Sequence, residues 1–414
     1  MLIVQKYGGS SVATPERILR VARRVAQTRR AGHRVVVVVS ALGDTTDELI
    51  KLSRRVTPRP SEREMDMLMA TGEQVSVALL AMAIERCGVP AISFTGAQVG
   101  IVTDTSHTRA KVVAINAARI VEELRRHRVV VVAGFQGMTS THEITTLGRG
   151  GSDLTGVALA VALKAHVCEI YTDVEGVYTA DPRIVPTARK LDRISYDEML
   201  EMASLGAQVM QARSVEVAKK FSVPLHVRSS FTARPGTIIS KEVKSMEEVV
   251  VRGVALAKDE AKVTICDVPD RPGLAAKIFT RLSEANINVD MIVQNVSRTG
   301  STDMSFTVPA DDLQRTLTTA RRVARDIKAE GVTYDDKIAK VSVVGVGMRS
   351  HSGIAARMFQ ALAKESINIE MISTSEIKIS CIISKSQAAR AVRALHRAFG
   401  LDRLGTKAQL ALVR

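Results

Sequence analysis

The chain begins with MLIVQKYGGSSVATPERILRVARRVAQTRRAGHRVVVVVS, residues 1–40, and this stretch indicates the fold. Short apolar segments at 2–5 and 35–40 have the length of β-strands, and β-branched runs such as the second are typical of strands buried on both faces. Between them, residues 15–30 carry the spaced apolar side chains of an amphipathic helix, with Thr14 as its capping residue before a proline. We therefore predict a strand–helix–strand unit of a parallel sheet.

The same alternation continues to about residue 240. Further strand candidates lie at 91–95, 129–134, 169–172 and 225–228, and helix candidates at 72–87, 110–127, 153–164, 196–202 and 213–221. Strands that alternate with helices of this length form a mainly parallel sheet covered by helices on both faces. The pattern predicts an α/β domain over residues 1–240.

The second half of the chain contains an internal repeat. The segment DRPGLAAKIFTRLSEANINVDMI (270–292) aligns with SHSGIAARMFQALAKESINIEMI (350–372). Each copy lies between strand candidates, and a unit of about 75 residues is too small to bury its helix face well by itself. We predict two paired α+β modules at 261–336 and 337–410, preceded by a linker and a first strand at 241–260.

The composition is that of a globular protein with an excess of basic residues. Of the 414 residues, 46% are hydrophobic and 24% are charged, and the formal net charge is +15. Much of this excess lies on amphipathic helices such as 17–30, where it forms a solvated face. Aromatic residues make up 3%, with no tryptophan, which leaves few base-stacking platforms. Specific nucleic-acid binding is therefore disfavoured, whereas a phosphate-bearing small substrate suits a basic protein.

The N-terminus and the cysteines predict a cytoplasmic protein that is not bound to a membrane. The first ten residues, MLIVQKYGGS, lack the apolar stretch of a signal peptide, and no apolar run reaches the ~20 residues of a spanning helix. Cys87, Cys168, Cys266 and Cys381 are widely separated, without a C-x-x-C pair. This spacing favours reduced thiols over a disulfide framework or a structural zinc site.

Two glycine-rich turns that open helices suit the binding of phosphate or carboxylate groups. In KYGGSS (6–11), consecutive glycines allow backbone N–H groups to approach phosphate oxygens. In TLGRGGSD (146–153), three glycines display Arg149, whose guanidinium binds carboxylates or phosphates, and Asp153 is a candidate to orient a lysine or a metal. Neither turn is the P-loop G-x-x-x-x-G-K-[ST], and the H-R-D and D-F-G motifs of protein kinases are also missing.

A third stretch, TDVEGVYTADPR (172–183), begins at the carboxyl end of a strand candidate, where ligands bind in doubly wound sheets. Its Glu-Gly and Asp-Pro pairs favour turns, and Tyr178 is a candidate to stack on an adenine ring. Two shorter pieces, 40–46 and 71–74, adjoin predicted elements. Functional residues and ordinary helix capping remain equal alternatives for these two pieces.

Together these motifs resemble those of aspartate kinases, which are members of the amino-acid kinase family. KYGGSSV, SALGDTTDEL, TGEQ, GFQG, TLGRGGSDLTG, TDVEGVYTADPR and VRSSF occur in the order of that family, and the duplicated unit is similar to its two ACT modules. The resemblance covers nearly the whole chain. It implies an N-terminal amino-acid-kinase fold, with a mainly parallel sheet between helix layers, followed by two ACT modules of βαββαβ topology.

The resemblance implies transfer of the γ-phosphoryl group of MgATP to the side-chain carboxylate of L-aspartate, giving 4-phospho-L-aspartate. This reaction is the first step of the aspartate pathway to lysine, threonine and methionine. Lys6 and Asp153 are implied to be catalytic, Lys6 by neutralising phosphoryl oxygens and Asp153 by holding Lys6 or the metal. No metal site made by the protein alone is implied.

Two groups of binding residues follow from the resemblance. The implied nucleotide-binding residues are Lys6, Tyr7, Gly8, Gly9, Thr172, Asp173, Tyr178, Thr179, Ala180, Asp181, Pro182, Arg183, Gln208 and Val209. The implied aspartate-binding residues are Ser40, Thr46, Glu73, Arg149, Gly150, Gly151 and Ser152. Within the second group, Arg149 would bind a carboxylate and Glu73 the ammonium group.

Two positions depart from the family pattern. Ser10 stands where many relatives have threonine, and it keeps the hydroxyl group. Gln208 stands where relatives commonly carry lysine or arginine, and a neutral amide cannot supply that cation. Arg213, nearby in the sequence, is a candidate replacement for the missing charge.

The resemblance also implies regulation at an interface of the ACT modules by lysine, threonine or both. The implied effector-binding residues are Asp270, Arg271, Pro272, Gly273, Leu274, Ala275, Asn288, Gln294, Asn295, Ile354, Ala355, Asn368, Ile369 and Glu376. The second loop has Ser-His-Ser at 350–352 where the first has Asp-Arg-Pro at 270–272, so two identical effector sites are not expected. The alternative is that both modules only dimerise.

The sequence allows more than one assembly and more than one function. The expected assembly is a homodimer, or a two-type tetramer with a shorter subunit that starts near Met246. One alternative function is a catalytically silent amino-acid sensor, although Lys6, Arg149 and Asp153 are all present. Another is a family kinase that acts on glutamate, N-acetylglutamate or a nucleotide monophosphate, although the ACT pair and the TGEQ and GRGGSD motifs favour aspartate.

Overall fold

The computed structural model describes residues 1–204, 209–241, 250–294, 300–346, 348 and 353–403. These residues form two compact units. The first unit contains residues 1–178, 190–204 and 209–241, and the second contains residues 179–189 and the described residues from 250 onward. The predictions that concern Gln208, Met246, Asn295 and residues 349–352 lie outside the described part of the chain.

The first unit is built from short strands that alternate with helices. Its strands are β1 (Leu2–Tyr7), β2 (Arg34–Val39), β3 (Ala91–Phe94), β4 (Ile101–Thr103), β5 (Val112–Ile115), β6 (Val129–Ala133), β7 (Gln136–Met138), β8 (Ile144–Thr146), β9 (Val167–Thr172), β10 (Arg193–Ser195), β11 (Leu225–Ser229) and β12 (Thr237–Ser240). Its helices are α1 (Pro15–Arg30), α2 (Thr45–Val56), α3 (Glu62–Arg86), α4 (Ala118–Arg125), α5 (Gly151–Ala162), α6 (Tyr196–Ser204) and α7 (Ala212–Phe221).

Eight of the strands form one sheet in the order β10-β12-β11-β9-β1-β2-β6-β3. Every neighbouring pair is parallel except β11 and β12. The central strand β1 pairs with β2 and β9, so that Val4 lies opposite Val36 on one side and Cys168 on the other. The prediction of a mainly parallel sheet is confirmed, and each strand candidate of this half lies on a strand of the sheet.

Helices cover both faces of the sheet, as buried β-branched strands require. On one face, α1 and α3 share a core with the sheet that includes Val25, Val37 and Leu80. On the other face α5 packs so closely that a Cβ at Gly156 would lie 3.3 Å from the Cβ of Lys6. The predicted cap of α1 is present, because the Thr14 side chain accepts a hydrogen bond from the Arg17 N–H.

Three elements of this unit differ from the sequence-based expectations. Residues 112–115 form β5 instead of the start of a helix, and β5-β4-β7-β8 make a small second sheet whose strands are too short to show a period. Helix α2 was not expected. Helix α3 begins at Glu62 instead of residue 72. Its first part was not expected, because Met65, Met67 and Met69 alternate with a period of two, which does not indicate a helix.

Helix α3 is the one helix in the described ranges that is long and apolar enough to cross a membrane. Its most apolar window is 56% buried in the unit, against α1 and the sheet. Core helices pass the same test of length and composition, so this feature is weak evidence for a membrane span.

The second unit contains the two copies of the repeat. Its strands are β13 (Val250–Pro269), β14 (Ile292–Gln294), β15 (Ser301–Pro309), β16 (Gly331–Val346), β17 (Met371–Thr374) and β18 (Lys378–Ser384). Its helices are α8 (Leu274–Glu284), α9 (Leu313–Ile327), α10 (Ile354–Lys364) and α11 (Ala388–Ala398). The strands form one antiparallel sheet in the order β14-β15-β13-β16-β18-β17.

The two modules share the long strands β13 and β16. The later part of β13 contributes Val263 to a core with α8 and α9, whereas its earlier part contributes Val254 to a core with α10 and α11. Strand β16 pairs with both parts of β13, so that Asp335 lies opposite Lys262 and Val343 lies opposite Val254. The predicted pair of α+β modules is confirmed. Because β13 and β16 run through both modules, a strand segment of one module continues directly into a strand segment of the other.

Candidate active site

The first feature of the site is a buried ion pair between Lys6 and Asp153. Lys6 lies near the carboxyl end of β1, and Asp153 lies in the first turn of α5. The distance from Lys6 Nζ to Asp153 Oδ1 is 2.6 Å, and the two side chains are 12% and 9% exposed. Asp153 Oδ2 also accepts a hydrogen bond from the Gln211 N–H at 3.3 Å. The structure thus brings together the two residues expected to be catalytic. They lie at the carboxyl end of the central strand β1, and ligands bind at the carboxyl ends of strands in such sheets.

The Gly8-Gly9 turn follows Lys6 and passes close to the end of the next strand. A Cβ at Gly9 would lie 2.8 Å from the carbonyl oxygen of Ala41 and 2.9 Å from that of Gly43, so only glycine fits there. A Cβ at Gly8 would lie 3.5 Å from Lys6 Nζ. The Gly8 N–H donates to the Tyr171 carbonyl oxygen at 3.2 Å, so this donor is already used in the ligand-free chain.

The second glycine-rich turn presents Arg149 at the surface beside the start of α5. Gly148 and Gly150 have φ angles of 80° and 71°, in the left-handed region that favours glycine. The Gln211 side-chain amide donates to the Arg149 carbonyl oxygen at 2.6 Å. The left-handed φ angles therefore explain why these two positions are glycines. The Arg149 guanidinium is exposed and takes no part in the buried ion pair of Lys6 and Asp153.

Glu73 is a buried carboxylate on α3, and its side chain faces the end of β2. It is 2% exposed, and its Oε1 accepts a hydrogen bond from the Ala41 N–H at 3.2 Å. Its Oε2 is buried and has no hydrogen-bond partner among the described residues. Burial raises the pKa of Glu73 to about 7, against the opposing effect of backbone hydrogen bonds. Of the other residues expected to bind aspartate, Ser40 directly follows β2 and Thr46 lies in the first turn of α2.

The residues expected to bind the nucleotide divide between the two compact units. Thr172 ends β9, and its hydroxyl donates to Asp173 Oδ1 at 3.0 Å. Tyr178 is the last residue of its segment in the first unit. The remaining expected residues of this stretch, Thr179, Ala180, Asp181, Pro182 and Arg183, belong to the second unit.

Arg213, the candidate replacement for the cation that Gln208 lacks, binds two backbone carbonyl oxygens of the first unit. Its guanidinium donates to the Leu147 carbonyl oxygen at 2.9 Å and to the Ala110 carbonyl oxygen at 3.0 Å. Both bonds hold loops of the first unit together. The compensating role of Arg213 stays a prediction, because Gln208 lies outside the described residues. Val209, the other expected contact in this region, is half-buried.

Several buried polar residues around the site carry no motif that sequence analysis could use. Glu169 accepts hydrogen bonds from Gln5 Nε2 at 2.8 Å, from the Tyr171 hydroxyl at 3.1 Å and from Arg228 Nη1 at 3.0 Å. These side chains lie on β1, β9 and β11, so the network ties together the strands that lead into the site. The one signal that the sequence offers for these residues is the alternation of side chains along each strand. A polar residue at a position expected to be buried needs a hydrogen-bond partner.

The expected effector-binding residues lie on equivalent loops of the two modules. Gly273 and Gly353 precede α8 and α10 with φ angles of 91° and 104°, and Leu274-Ala275 and Ile354-Ala355 begin those helices. The other described members of the group are Asp270, Arg271, Pro272, Asn288, Gln294, Asn368, Ile369 and Glu376. Asn288 and Asn368 are both exposed, in keeping with their equivalent positions in the repeat.

The described residues contain no group of three or more histidine, cysteine, aspartate or glutamate side chains that could hold a metal ion. Magnesium is usually held by one or two carboxylates together with substrate phosphates. Asp153, in the first turn of α5, and Asp173, directly after β9, are carboxylates that would suit a metal that arrives with a nucleotide.

Comparisons with known proteins agree with this organisation. The profile of the amino acid kinase family matches residues 1–229, and ACT domain profiles match residues 262–325 and 341–399. An aspartate kinase of Stutzerimonas stutzeri is 56% identical over 402 residues, which cover 97% of this chain and 98% of that protein. The aspartokinase of Corynebacterium glutamicum is 51% identical over 405 residues, covering 97% of this chain and 96% of that protein.

Two solved structures share the fold of nearly the whole chain. E. coli aspartokinase III in complex with aspartate and ADP (R-state) has a TM-score of 0.84 at 25% identity, covering 97% of this chain and 100% of that one. The same enzyme in complex with lysine and aspartate (T-state) has a TM-score of 0.71 at 26% identity, covering 96% and 99%. The chain therefore belongs to the aspartate kinases of the amino acid kinase family, with two ACT domains after the kinase domain.

Proposed function

We propose that the chain transfers the γ-phosphoryl group of MgATP to the side-chain carboxylate of L-aspartate, giving 4-phospho-L-aspartate. The observation that carries this proposal is the buried pair of Lys6 and Asp153, 2.6 Å apart at the carboxyl end of the central strand. Aspartate and ADP in the related E. coli structure support the same substrates for this chain. The product begins the route to lysine, threonine and methionine.

The chemistry calls for cations and not for a general base. The attacking carboxylate has a pKa near ~3.9 in solution and is already ionised at neutral pH. The barrier lies in bringing two anions together and in stabilising charge on the transferred group. Lys6 neutralises that charge, Asp153 holds the lysine in place, and Gly9 offers a backbone N–H. Mg²⁺ that arrives with the ATP phosphates would supply additional positive charge.

Two of the three charged groups of the acceptor, its ammonium and one carboxylate, are bound by side chains. The Oε2 atom of Glu73, buried without a partner in the described chain, takes the ammonium group of aspartate. Arg149, exposed on its glycine turn, takes a carboxylate. The residues proposed to complete this acceptor site are Ser40, Thr46, Gly150, Gly151 and Ser152. The start of α5 favours an anion at this place because of its helix dipole.

The nucleotide is bound by the turn after β1 and by the stretch after β9. The residues proposed for this role are Lys6, Tyr7, Gly8, Gly9, Thr172, Asp173, Tyr178, Thr179, Ala180, Asp181, Pro182, Arg183, Gln208 and Val209. Asp181 is held by Arg183, with Arg183 Nη2 at 2.8 Å from its Oδ2, and this hydrogen bond lowers the pKa of Asp181. The Asp-Pro-Arg turn is therefore preformed before the nucleotide arrives.

We further propose that the domains are 1–240, 261–336 and 337–410, with the linker and first strand at 241–260, and that lysine, threonine or both inhibit through the ACT domains. Lysine in the related T-state structure supports such an effector. The differing loops at 270–272 and 350–352 imply unequal sites. Titration of both amino acids, singly and together, against activity tests this point, and no inhibition at any concentration would remove it.

The assembly is proposed to be a cytoplasmic homodimer, or a tetramer that includes a shorter subunit from an internal start near Met246. Mass spectrometry of the natively expressed complex distinguishes the two. Detection of full-length chain alone would exclude the tetramer with two types of subunit.

The decisive experiment measures ADP release with MgATP and a panel of L-aspartate, L-glutamate, N-acetylglutamate and UMP, each with and without lysine plus threonine. We expect turnover with L-aspartate only. Turnover of another acceptor in place of aspartate would keep the fold and overturn the substrate. No turnover with any acceptor would overturn the proposed catalysis and favour an amino-acid sensor.

A further inference from the structure

Asp66 is a buried carboxylate on α3 for which the reaction described above has no direct use. Its side chain is fully buried. It accepts hydrogen bonds from the Thr108 N–H at 3.0 and 3.1 Å, from the Thr146 hydroxyl at 2.5 Å and from His107 Nδ1 at 2.8 Å. A carboxylate this deeply buried is retained only where its partners compensate for lost hydration.

Two partners of Asp66, Thr108 and Thr146, adjoin the turn that presents Arg149. Thr146 ends β8, two residues before Gly148, and its carbonyl oxygen accepts a hydrogen bond from the Ala110 N–H at 2.9 Å. A Cβ at Gly148 would lie 3.2 Å from the Thr108 carbonyl oxygen, so the turn rests against the 107–110 loop. Thr108 itself has a φ of 63°, a conformation that costs free energy unless its surroundings hold it.

Asp66 and Glu73 are carried by the same helix. Glu73 follows Asp66 by seven residues, or about two helical turns, which places both carboxylates on one side of α3. Both are buried, at 0% and 2% exposure. Helix α3 thus holds Glu73 directly, and through Asp66 it holds the loop and the strand end that support Arg149.

We propose that Asp66 is a positioning residue for the acceptor amino acid. By fixing the Arg149 turn to the helix that carries Glu73, it sets the separation between the group that takes the carboxylate and the group that takes the ammonium of the acceptor. This inference rests on the proposed roles of Arg149 and Glu73. It assigns Asp66, Thr108 and Thr146 to positioning of the acceptor, without contact with the substrate.

The test compares Asp66→Asn and Thr146→Val with wild type in the full chain. The amide keeps the shape of Asp66 but loses its charge, and valine removes one donor to it while keeping the volume of Thr146. Glu198→Gln is the matched control, because Glu198, on α6, is 1% exposed and accepts from the Ser195 N–H and hydroxyl at 3.0 and 2.8 Å. The readouts are KM for L-aspartate, KM for MgATP, kcat, and activity with L-glutamate.

We expect Asp66→Asn to raise KM for L-aspartate about tenfold or more. The substitution weakens the hydrogen bonds that hold the Arg149 turn, and one hydrogen bond to a buried charge is worth about that factor. Thr146→Val should act in the same direction with a smaller change. KM for MgATP should stay within about twofold, and selectivity for aspartate over glutamate should fall. Glu198→Gln should lower thermal stability and leave both KM values unchanged.

Two results would overturn the inference. One is a loss of stability in Asp66→Asn and Thr146→Val with KM for aspartate unchanged, and the other is an equal rise in both KM values. If Asp66→Asn does not fold, Thr146→Val decides by the same criteria. Arg149→Lys separates this inference from the proposed function. If that variant leaves KM for aspartate unchanged, the proposed acceptor site fails, whereas a raised KM there with no effect of Thr146→Val removes the role of Asp66 alone.

Discussion

At the scale of single residues, the kinase unit holds charged groups in largely buried positions. Lys6 and Asp153 neutralise each other, whereas one oxygen of Glu73 has no partner in the described chain. A buried carboxylate without a cation is costly while ionised and becomes favourable when a cation arrives. The ligand-free site is therefore prepared for a substrate that brings a positive charge.

Replacement of Lys6 should abolish catalysis without preventing folding. We expect Lys6→Met to lower kcat roughly 100-fold or more, because the charge that meets the transferred phosphoryl group is lost. Lys219→Met is the control, since Lys219 is an exposed lysine paired with Asp197. ADP release measures activity and circular dichroism verifies folding. A kcat within about tenfold of wild type would contradict the role of Lys6.

The raised pKa of Glu73 predicts a pH-dependent stability. Its pKa moves from 4.5 to about 7 on folding, so the folded state holds this proton more tightly than the unfolded state. The resulting stability is fully present below the unfolded value and is lost as pH rises through the folded one. Glu73→Gln should therefore be more stable than wild type by up to ~3 kcal/mol at pH 8, with a smaller difference at pH 5.

Urea unfolding at the two pH values measures this difference. A gain of Glu73→Gln that is the same at both values would show that ionisation of Glu73 is not its cause. In the wild type, KM for aspartate should rise as the pH falls below about 7, because the protonated carboxyl no longer attracts the ammonium group.

At the scale of elements, the two ACT domains are joined by reciprocal ion pairs as well as by shared strands. Lys340 on β16 pairs with Asp290 and, at 2.8 Å, with Glu260, and Lys262 on β13 pairs with Glu370. Asp290 and Glu370 occupy the same position in the two copies of the repeat. The lysine side chains differ in exposure, at 2% for Lys340 and 23% for Lys262.

This difference in burial predicts unequal contributions to stability. Lys340→Met should destabilise the second unit by about 3 kcal/mol or more, because it leaves two carboxylates, Glu260 and Asp290, without their cation. Lys262→Met is the matched control, and we expect it to cost about 1 kcal/mol or less, since its pair is partly screened by water. Denaturant unfolding followed by circular dichroism measures both. Equal losses would show that burial does not determine the strength of these pairs.

At the scale of the whole molecule, part of the stretch proposed to bind the nucleotide, residues 179–183, folds with the second unit. Within that unit, Thr179 hydrogen-bonds His396 Nε2 at 2.9 Å, and its carbonyl oxygen accepts from the Val254 N–H at 2.7 Å. Ala180 and Val185 are buried in the core that includes α10 and α11. Residues 179–189 therefore depend on residues that are far away in the sequence.

Removal of the residues from 242 onward should consequently damage the proposed nucleotide site. A chain that ends at residue 241 leaves Ala180 and Val185 without the core in which they are buried. We expect KM for ATP to rise about tenfold or more, and limited proteolysis to cut within 179–189, because an unpacked segment opens readily. The full chain is the control. A truncated chain with unchanged KM for ATP and no cleavage there would show that the segment holds its conformation alone.

The strands and helices of the main sheet were predictable because their signals are local, and the repeat was predictable because its two copies align directly. The run at 35–39 indicates a buried strand from its β-branched residues, and helix α1 has a capping threonine, a proline and an apolar stripe within one short segment. The small sheet and the first part of α3 were not predictable. Strands such as β4 contain too few residues to show a period, and the methionines of α3 alternate like those of a strand.

The sequence by itself determined the kinase turns, the order of the motifs and the duplication. Glycine spacing and helix caps are properties of neighbouring residues, and the duplication is visible when two segments of the chain are aligned. The tertiary structure alone decided that Asp153 meets Lys6, that Asp66 reaches Thr146 and that β13 and β16 serve both ACT domains. Such contacts depend on which strands become neighbours and on how each helix packs against the sheet. These choices minimise buried, unpaired polar groups over the whole chain, and no short stretch of sequence records them.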